Sequence, residues 1–228
     1  PLVFETLTGN KCMTDTFDRD FKFDVAHISI AKAADYFVVA PATANFIAKA
    51  SYGMADDMLT TTFLAANCTK LVVPAMNTQM FLNPITQGNI MRLLKVGIRV
   101  MQPSSGVLAC GDVGVGKMPE PEAIWEEILF DLAYAKDLAG KKVLVTAGAT
   151  QEAIDPVRYI TNHSTGRMGY ALAKAAAYRG AQVTLITGKT SLAPIPYVNT
   201  TQITTSAEMC KEVLKYAPKA DYIFKAAA

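Results

Sequence analysis

Long apolar runs are missing from this sequence. No stretch approaches the roughly 20 residues needed to cross a bilayer, and the opening "PLVFETLTGN" has neither the basic start nor the apolar stretch of a signal peptide. Charge is scarce as well. Only 18% of the residues are charged and the net charge is +2, too small and too scattered to argue for a nucleic-acid partner. The four cysteines, Cys12, Cys68, Cys110 and Cys210, are far apart and form no CxxC pair, so neither a disulfide framework nor a metal site is expected. Histidine occurs twice, and no internal repeat or low-complexity segment is visible. What is abundant is apolar side chain, 51% of 228 residues, enough to bury the core of one large domain or two ordinary ones. A soluble, cytoplasmic protein is expected. Both ends read as cut, since the chain starts at Pro1 rather than at a methionine and stops on "FKAAA".

Short apolar runs alternate with helical patterns. "YFVVA" (36–40), "KLVVPA" (70–75) and "GIRVMQ" (97–102) are brief, β-branched and bounded by turn residues, which predicts buried strands. Residues 45–66 and 83–97 carry apolar positions at three- and four-residue steps, which predicts helices. "EPEAIWEEILFDLAYAKDL" continues as a further helix with acidic residues near its start, where the helix dipole favours them. This alternation implies the doubly wound α/β plan with a parallel sheet. "AGKK" (139–142) is a small polar joint, after which "VLVTAGAT" restarts with a new strand, then helix, turn and strand over 164–188, and a last strand in "DYIFKAAA". Two domains follow, 1–138 and 139–228. In open parallel sheets ligands gather beyond the carboxyl ends of the strands, so the chemistry should lie there.

The segment "SGVLACGDVGVGKMPEP" (105–121) sets one cysteine and one lysine among glycines. Gly111, Gly116 and Lys117 fit most of a P-loop, but Met118 stands where Ser or Thr should hold magnesium. Pro119 and Pro121 also delay the helix that a P-loop must enter, so that reading fails. Two readings remain from composition: a mobile loop with an incidental thiol, or a flap that closes over a ligand. After the strands come "PATAN" (41–45) and "PAMN" (74–77), each ending on an asparagine that can cap a helix or offer a donor and an acceptor to a ligand. His27, at a helix start in "DVAHISIAKAAD", is by itself more often a capping or solvated residue than a catalyst. In the second part, the strand "VLVTA" leads to Gly148, yet the tight G-x-G-x-x-G turn is absent. Asn162, Ser164, Thr165 and Gly166 sit at the next helix start, either as a simple cap or where unbonded N–H groups favour an anion.

Taken together, "HISIAKAAD", "APATAN", "GMADDMLTTT", "PAMN" and "ACGDVGVGKMPEP", followed by "VLVTAGATQEAIDPVRYITNHSTGRMG" and "KAAA", resemble a known family. They are similar to the flavin-dependent cysteine decarboxylases, in the bifunctional branch that joins phosphopantothenoylcysteine decarboxylase to phosphopantothenate–cysteine ligase in coenzyme A biosynthesis. The resemblance covers nearly the whole chain. It implies a flavodoxin/Rossmann-like doubly wound parallel sheet followed by part of a second Rossmann-like α/β domain.

For the first part the resemblance implies FMN as cofactor and oxidation of the substrate's thiol-bearing carbon, followed by loss of carbon dioxide. Cys110 would then protonate the resulting enethiolate, a task that suits a thiol with an ordinary pKa of about 8.5. His27 would assist near the flavin, and Asn77, with Met76 and Ala109, would bind the substrate. Pro41, Thr43, Asn45 and Asp57 would hold the cofactor. For the second part it implies activation of 4′-phosphopantothenate by CTP with Mg2+. Asn162 and Arg158 would serve the acyl-cytidylate, while Gly148, Ser164, Gly166, Lys225, Ala226 and Ala227 would line the nucleotide. Small-molecule substrates and a homo-oligomer built on trimers are implied as partners.

The chain departs from the family in lacking its opening strand, glycine-rich turn and helix, and the elements beyond "KAAA". A fragment of a longer protein is therefore expected, with FMN binding and ligation put in question. Two other readings stand beside this one. The first is a related flavoprotein such as a flavin prenyltransferase or peptidyl-cysteine decarboxylase, disfavoured by the fused second part. The second is a non-catalytic regulatory subunit, disfavoured because His27 and Cys110 are both present.

Overall fold

The computed structural model describes residues 1–15, 26–108 and 111–227. They fall into two compact units, Pro1–Ile124 and Trp125–Ala228.

The first unit opens with α1 (Leu2–Thr8) and α2 (Ala26–Ala33), then alternates β1 (Tyr36–Ala42), α3 (Ala44–Tyr52), α4 (Met58–Ala65), β2 (Thr69–Pro74), α5 (Thr78–Leu82), α6 (Pro84–Lys95) and β3 (Arg99–Val100). The three strands predicted from apolar runs pair in parallel in the order β1-β2-β3. Leu71, Val72 and Val73 are fully buried. A strand covered on both faces has no solvent side, which is why β2 reads as a continuous apolar run rather than an alternating one. Each such side chain contributes about 1.5–3 kcal/mol by leaving water. Phe63 of α4 packs edge-on against Phe37 and Phe46, with ring centroids 5.6 and 5.2 Å away.

The single helical pattern over 45–66 is in fact two helices. Gly53, in the left-handed region at φ 70, ends α3, and Asp57 starts α4 through a capping box with Thr60. Apolar spacing runs on through the break and hides it.

The second half of this unit departs from expectation. The glycine-rich segment forms an antiparallel hairpin of β4 (Ser104–Val107) and β5 (Val113–Lys117). It is followed by α7 (Pro121–Leu132), which crosses from one compact unit into the next. From Glu126 onward α7 is tied to the second unit, because Glu126 accepts from Lys174 at 2.8 Å and from the Tyr178 hydroxyl.

The second unit contains β6 (Lys142–Ala147), the short pair β7 (Glu152–Ala153) and β8 (Tyr159–Ile160), α8 (Arg167–Tyr178), β9 (Gln182–Thr187), β10 (Val198–Gln202), α9 (Ser206–Tyr216) and β11 (Tyr222–Lys225). Its main sheet is parallel, in the order β10-β9-β6-β11. Val143, Val145 and Ala147 join the cluster around α8, while Leu144 joins the cluster backed by Met209 and Val213 of α9. Alternate residues of β6 thus face opposite helical layers, the period of two that a central strand imposes. With chemistry expected at the carboxyl ends, the sites to inspect are the ends of β1 and β2 in one unit and of β6, β9 and β11 in the other.

Candidate functional site

At the end of β2 the chain turns through Ala75, Met76 and Asn77 into α5. Asn77 caps that helix, its Oδ1 accepting from Gln79 N–H at 2.8 Å. The hairpin lies against this turn, with Met76 N–H donating to Gly116 O at 3.0 Å. Between them is a cavity of about 510 Å³ lined by Ala75, Met76, Asn77, Val107, Leu108, Gly116, Lys117 and Met118. Asn77 and Met76, both expected to bind substrate, are therefore brought under the hairpin. Ala109 and Cys110 lie outside the described residues. Their neighbours Leu108 and Gly111 are joined by a hydrogen bond from Gly111 N–H to Leu108 O at 2.9 Å. Lys117 does not point a lone charge into the site, since Glu120 pairs with it at 2.8 Å.

The end of β1 carries Pro41, exposed after a cis Ala40–Pro41 peptide, and then Thr43 and Asn45. The asparagine is not the cap here. Thr43 caps α3 by accepting from Phe46 N–H at 3.2 Å, which leaves the Asn45 amide exposed on the first turn. Asp57 is already committed: it accepts from Thr60 N–H at 2.8 Å and pairs with Lys49 at 3.2 Å. The Thr60 N–H first, then its hydroxyl and Lys49, hold the Asp57 carboxyl below the usual carboxylate range.

Asp57→Ala is expected to cost the first unit about 1 kcal/mol, as loss of a helix cap does. Because the folded carboxyl is depressed, its contribution is present above about pH 4 and lost as pH falls through the folded value. Urea unfolding at neutral and acid pH checks both points, with wild type and variant converging in acid.

His27 stands on the first turn of α2, away from the hairpin cavity. Its Nδ1 is buried and has no hydrogen-bond partner among the described residues. An orphaned imidazole nitrogen is costly to leave unpaired and marks a place where a ligand atom would be welcome.

In the second unit, Gly148 follows β6 and Gly166 caps α8; a Cβ on Gly166 would lie 3.3 Å from the Gly148 backbone. Ala226 N–H donates to Thr146 O at 3.2 Å, and Ala227 N–H to Thr146 Oγ1 at 3.2 Å. So Gly148, Gly166, Ala226 and Ala227 converge on the carboxyl end of β6, with Lys225 closing β11 beside them. This is the point where strand order reverses, with β9 on one side of β6 and β11 on the other, and such switch points open the crevice that ligands use.

Asn162 and Ser164 form a local turn, Asn162 Oδ1 accepting from Ser164 N–H at 2.8 Å. Arg158 sits apart in the turn between β7 and β8, its Nε donating to Asp155 at 2.7 Å. That guanidinium holds the Asp155 carboxyl below the usual range.

A family model described as "Flavoprotein" matches residues 1–132. The chain belongs to that flavoprotein family. A second family model, the DNA/pantothenate metabolism flavoprotein C-terminal domain, matches residues 138–228. Among curated relatives, this flavoprotein is 44% identical over 219 residues to the "Coenzyme A biosynthesis bifunctional protein CoaBC" of Haemophilus influenzae, covering 96% of this chain and 55% of the relative. It is 46% identical over 231 residues to the protein of the same name in Bacillus subtilis, covering 100% of this chain and 57% of that one. The chain thus spans a little over half the length of these relatives. A solved PPC decarboxylase mutant complexed with pantothenoylaminoethenethiol aligns at a TM-score of 0.49 and 35% identity, over 51% of this chain and 67% of that one.

Several residues that shape the flavoprotein's sites escape a reading by motif. Thr146 is buried inside an apolar strand, yet both its carbonyl and its hydroxyl fasten the end of β11. Gly188, at the end of β9, packs so close that a Cβ would lie 2.0 Å from Ala149 O. Gly114 and Gly116 occupy alternate positions of β5. That spacing was a usable signal, because two glycines two apart on a strand leave one face bare for close approach. Among the described residues, no helix is long and apolar enough to cross a membrane and no group of His, Cys, Asp or Glu could hold a metal ion.

Proposed function

We propose that the first part of the chain, 1–138, performs FMN-dependent decarboxylation of 4′-phosphopantothenoylcysteine to 4′-phosphopantetheine. The second part, 139–228, is then the N-terminal part of a CTP-dependent phosphopantothenate–cysteine ligase. Support for two parts comes from the two family matches, one over 1–132 and the other over 138–228. The observation that carries the reading is the cavity at the end of β2, where Met76 and Asn77 meet the hairpin of β4 and β5. Support comes from relatives named as bifunctional proteins of coenzyme A biosynthesis, which match 96–100% of this sequence.

The residues fit a flavin and a carboxylated thiol substrate. His27 offers a buried nitrogen that is unpaired among the described residues, and Asn45 an exposed amide beside the end of β1. When bound, FMN supplies two-electron oxidation and reduction of the substrate, which side chains alone cannot provide. The protein's own part is placement and proton transfer. Asn77, with its oxygen held by Gln79 N–H, presents its NH2 group as a donor to the substrate carboxylate. The thiol of Cys110 gives a proton to the carbon that loses carbon dioxide. In the second part, the convergence of Gly148, Gly166, Ala226 and Ala227 on β6, with Ser164 and Lys225, suits a phosphate-bearing nucleotide, CTP with Mg2+, and Asn162 and Arg158 would serve the acyl-cytidylate. Assembly into a homo-oligomer built on trimers and a cytoplasmic location belong to the same reading.

The test is to add FMN to the purified chain, remove the excess and record the visible spectrum, then supply 4′-phosphopantothenoylcysteine and measure products by mass. Retained flavin absorbance and appearance of 4′-phosphopantetheine are expected. A chain that holds flavin but leaves the substrate unchanged would refute the decarboxylase assignment.

A further inference from the structure

At the amino edge of the second sheet, opposite the crevice at the end of β6, strand register gathers a mixed floor. Lys142 pairs with Gln182 and Leu144 with Thr184, while Thr184 also pairs with Asn199 of β10. With a period of two these residues share one face, and Leu144 identifies it as the face that α9 covers. α9 stops short of covering all of it. The helix ends at Tyr216, and Pro218, with no N–H to donate, breaks the α-helical ladder there. What remains is a cavity of about 410 Å³, within the range of small-molecule sites, closed by Tyr216, Lys219 and Ala220 and bordered by Tyr197.

Both aromatic rings at this cavity are held in place. Lys215 Nζ lies 4.9 Å from the ring centroid of Tyr216. Tyr197 stacks on Phe130, with ring centroids 4.0 Å apart and planes tilted by 32°. The backbone of Tyr197 is constrained too. Val198 N–H donates to Ile195 O at 3.4 Å, closing a turn with Pro196 second and Tyr197 third, at φ 64. The third position of such a proline turn belongs to glycine or asparagine. Tyr197 is the one non-glycine residue with positive φ among the described residues. Strain of this kind persists only where the surroundings hold it, and it clusters at ligand clamps.

Two cations complete the lining, Lys142 at the start of β6 and Lys219 just beyond α9. Among the described residues neither ammonium has an ion-pair partner, and no acidic residue lines the cavity. Asp221 accepts from the backbone N–H of Lys142, at 2.7 Å, and not from its ammonium. The carboxyl end of α9 adds partial negative charge, which favours a singly charged ligand over a phosphate dianion.

We propose that this cavity binds an aromatic carboxylate, its ring laid against Tyr197 and Tyr216 and its charge held by Lys142 and Lys219. The site lies at the strand ends opposite the nucleotide crevice and depends on neither activity proposed above.

The test titrates the full chain with naphthoate and, separately, with naphthamide, which keeps the rings and drops the charge, while amide chemical shifts are mapped. Naphthoate is expected to shift the amides of 142–144, 182–184, Tyr197 and 216–220, and to bind about tenfold more tightly than naphthamide. Lys142→Gln combined with Lys219→Gln should remove that advantage, weakening naphthoate about tenfold and leaving naphthamide within about twofold. Tyr197→Gly, which suits the turn, should weaken both compounds about tenfold, with urea unfolding confirming that the unit stays folded. The proposal is overturned if naphthoate shifts none of these amides, if naphthamide binds as tightly, or if the paired lysine variant binds naphthoate as wild type does. It is equally overturned if a folded Tyr197→Gly keeps both affinities. Should that variant unfold, the two exposed lysines, whose replacement disturbs no packing, decide the question alone.

Discussion

Gly116→Ala is expected to lower the proposed decarboxylation by about 100-fold while the parallel sheet of the first unit stays folded. Two independent obstacles meet at this position. The backbone is at φ 139, a region that side-chain-bearing residues rarely adopt. The added methyl would also fall 2.2 Å from the carbonyl oxygen of Met76. The obstructing atom belongs to the backbone at the end of β2, which is anchored by fully buried Leu71, Val72 and Val73 and cannot swing aside as a side-chain tip would. The hairpin must lift instead, and a displacement of about 1 Å in a reacting constellation is enough for a loss of that order. The measurement is kcat/KM together with hydrogen exchange at the Met76 amide, which donates to Gly116 O in the seated hairpin. Faster exchange with slower turnover is expected. A variant that keeps both the rate and the protection of Met76 would show that the seat does not matter.

Gly169→Val should destabilise the second unit by about 3 kcal/mol, the upper part of the range for overpacked cores. A Cβ at this first-turn position of α8 would lie 2.4 Å from the Ala147 Cβ and 2.8 Å from Thr146 O. The helix could escape only by moving off β6. Its small side chains Ala173, Ala176 and Ala177 are buried against that same layer, so the contact would open along much of its length. Urea unfolding followed by a probe in the second unit checks this, and a change below about 1 kcal/mol would contradict it. The same shift would disturb Gly166 where it meets Gly148, so any nucleotide affinity of this unit should fall with stability.

The parts of the fold legible in the sequence are those where burial dictates composition. β1, β2 and β6 lie between layers, so their apolar runs announced them, and α6 and α8 have an apolar stripe on one side. The parts that were not legible depend on backbone contact. The segment around Cys110 reads as loose because it is rich in glycine, yet in β5 the glycines are what allows a strand to lie on Met76 and Thr78. The same composition that signals flexibility in isolation signals close packing once a neighbour is present. α9 and β10 escaped for another reason. β10 is the polar run VNTTQ on a sheet edge, and α9 is mostly polar, with an apolar stripe of Met209, Val213 and Tyr216 that packs on the core without any of them being fully buried. The capping box of Thr205 and Glu208 was the available sign of α9.

The site divides along the same line. The turn that carries Asn77 was legible because a strand end is a defined place in a parallel sheet. The contact of Asp112 with Asn77 was missed, since it exists only through the antiparallel register that brings the two together. Asn45 and Asn77 both read as strand-end asparagines able to cap a helix, and they differ because Thr43, not Asn45, accepts from Phe46 N–H at the start of α3.

The two borders of the second sheet are chemically unlike. β10 presents asparagine, threonine and glutamine, whereas β11 offers Tyr222, Ile223 and Phe224, each 42–47% exposed, on a strand that among the described residues pairs only with β6. An apolar border strand with an unpaired row of backbone donors and acceptors is a template on which another extended chain can zip. Concentrated solutions of this chain should therefore thicken into oligomers through the β11 side first, and a single charge introduced at Ile223 would act as a solubility gatekeeper there.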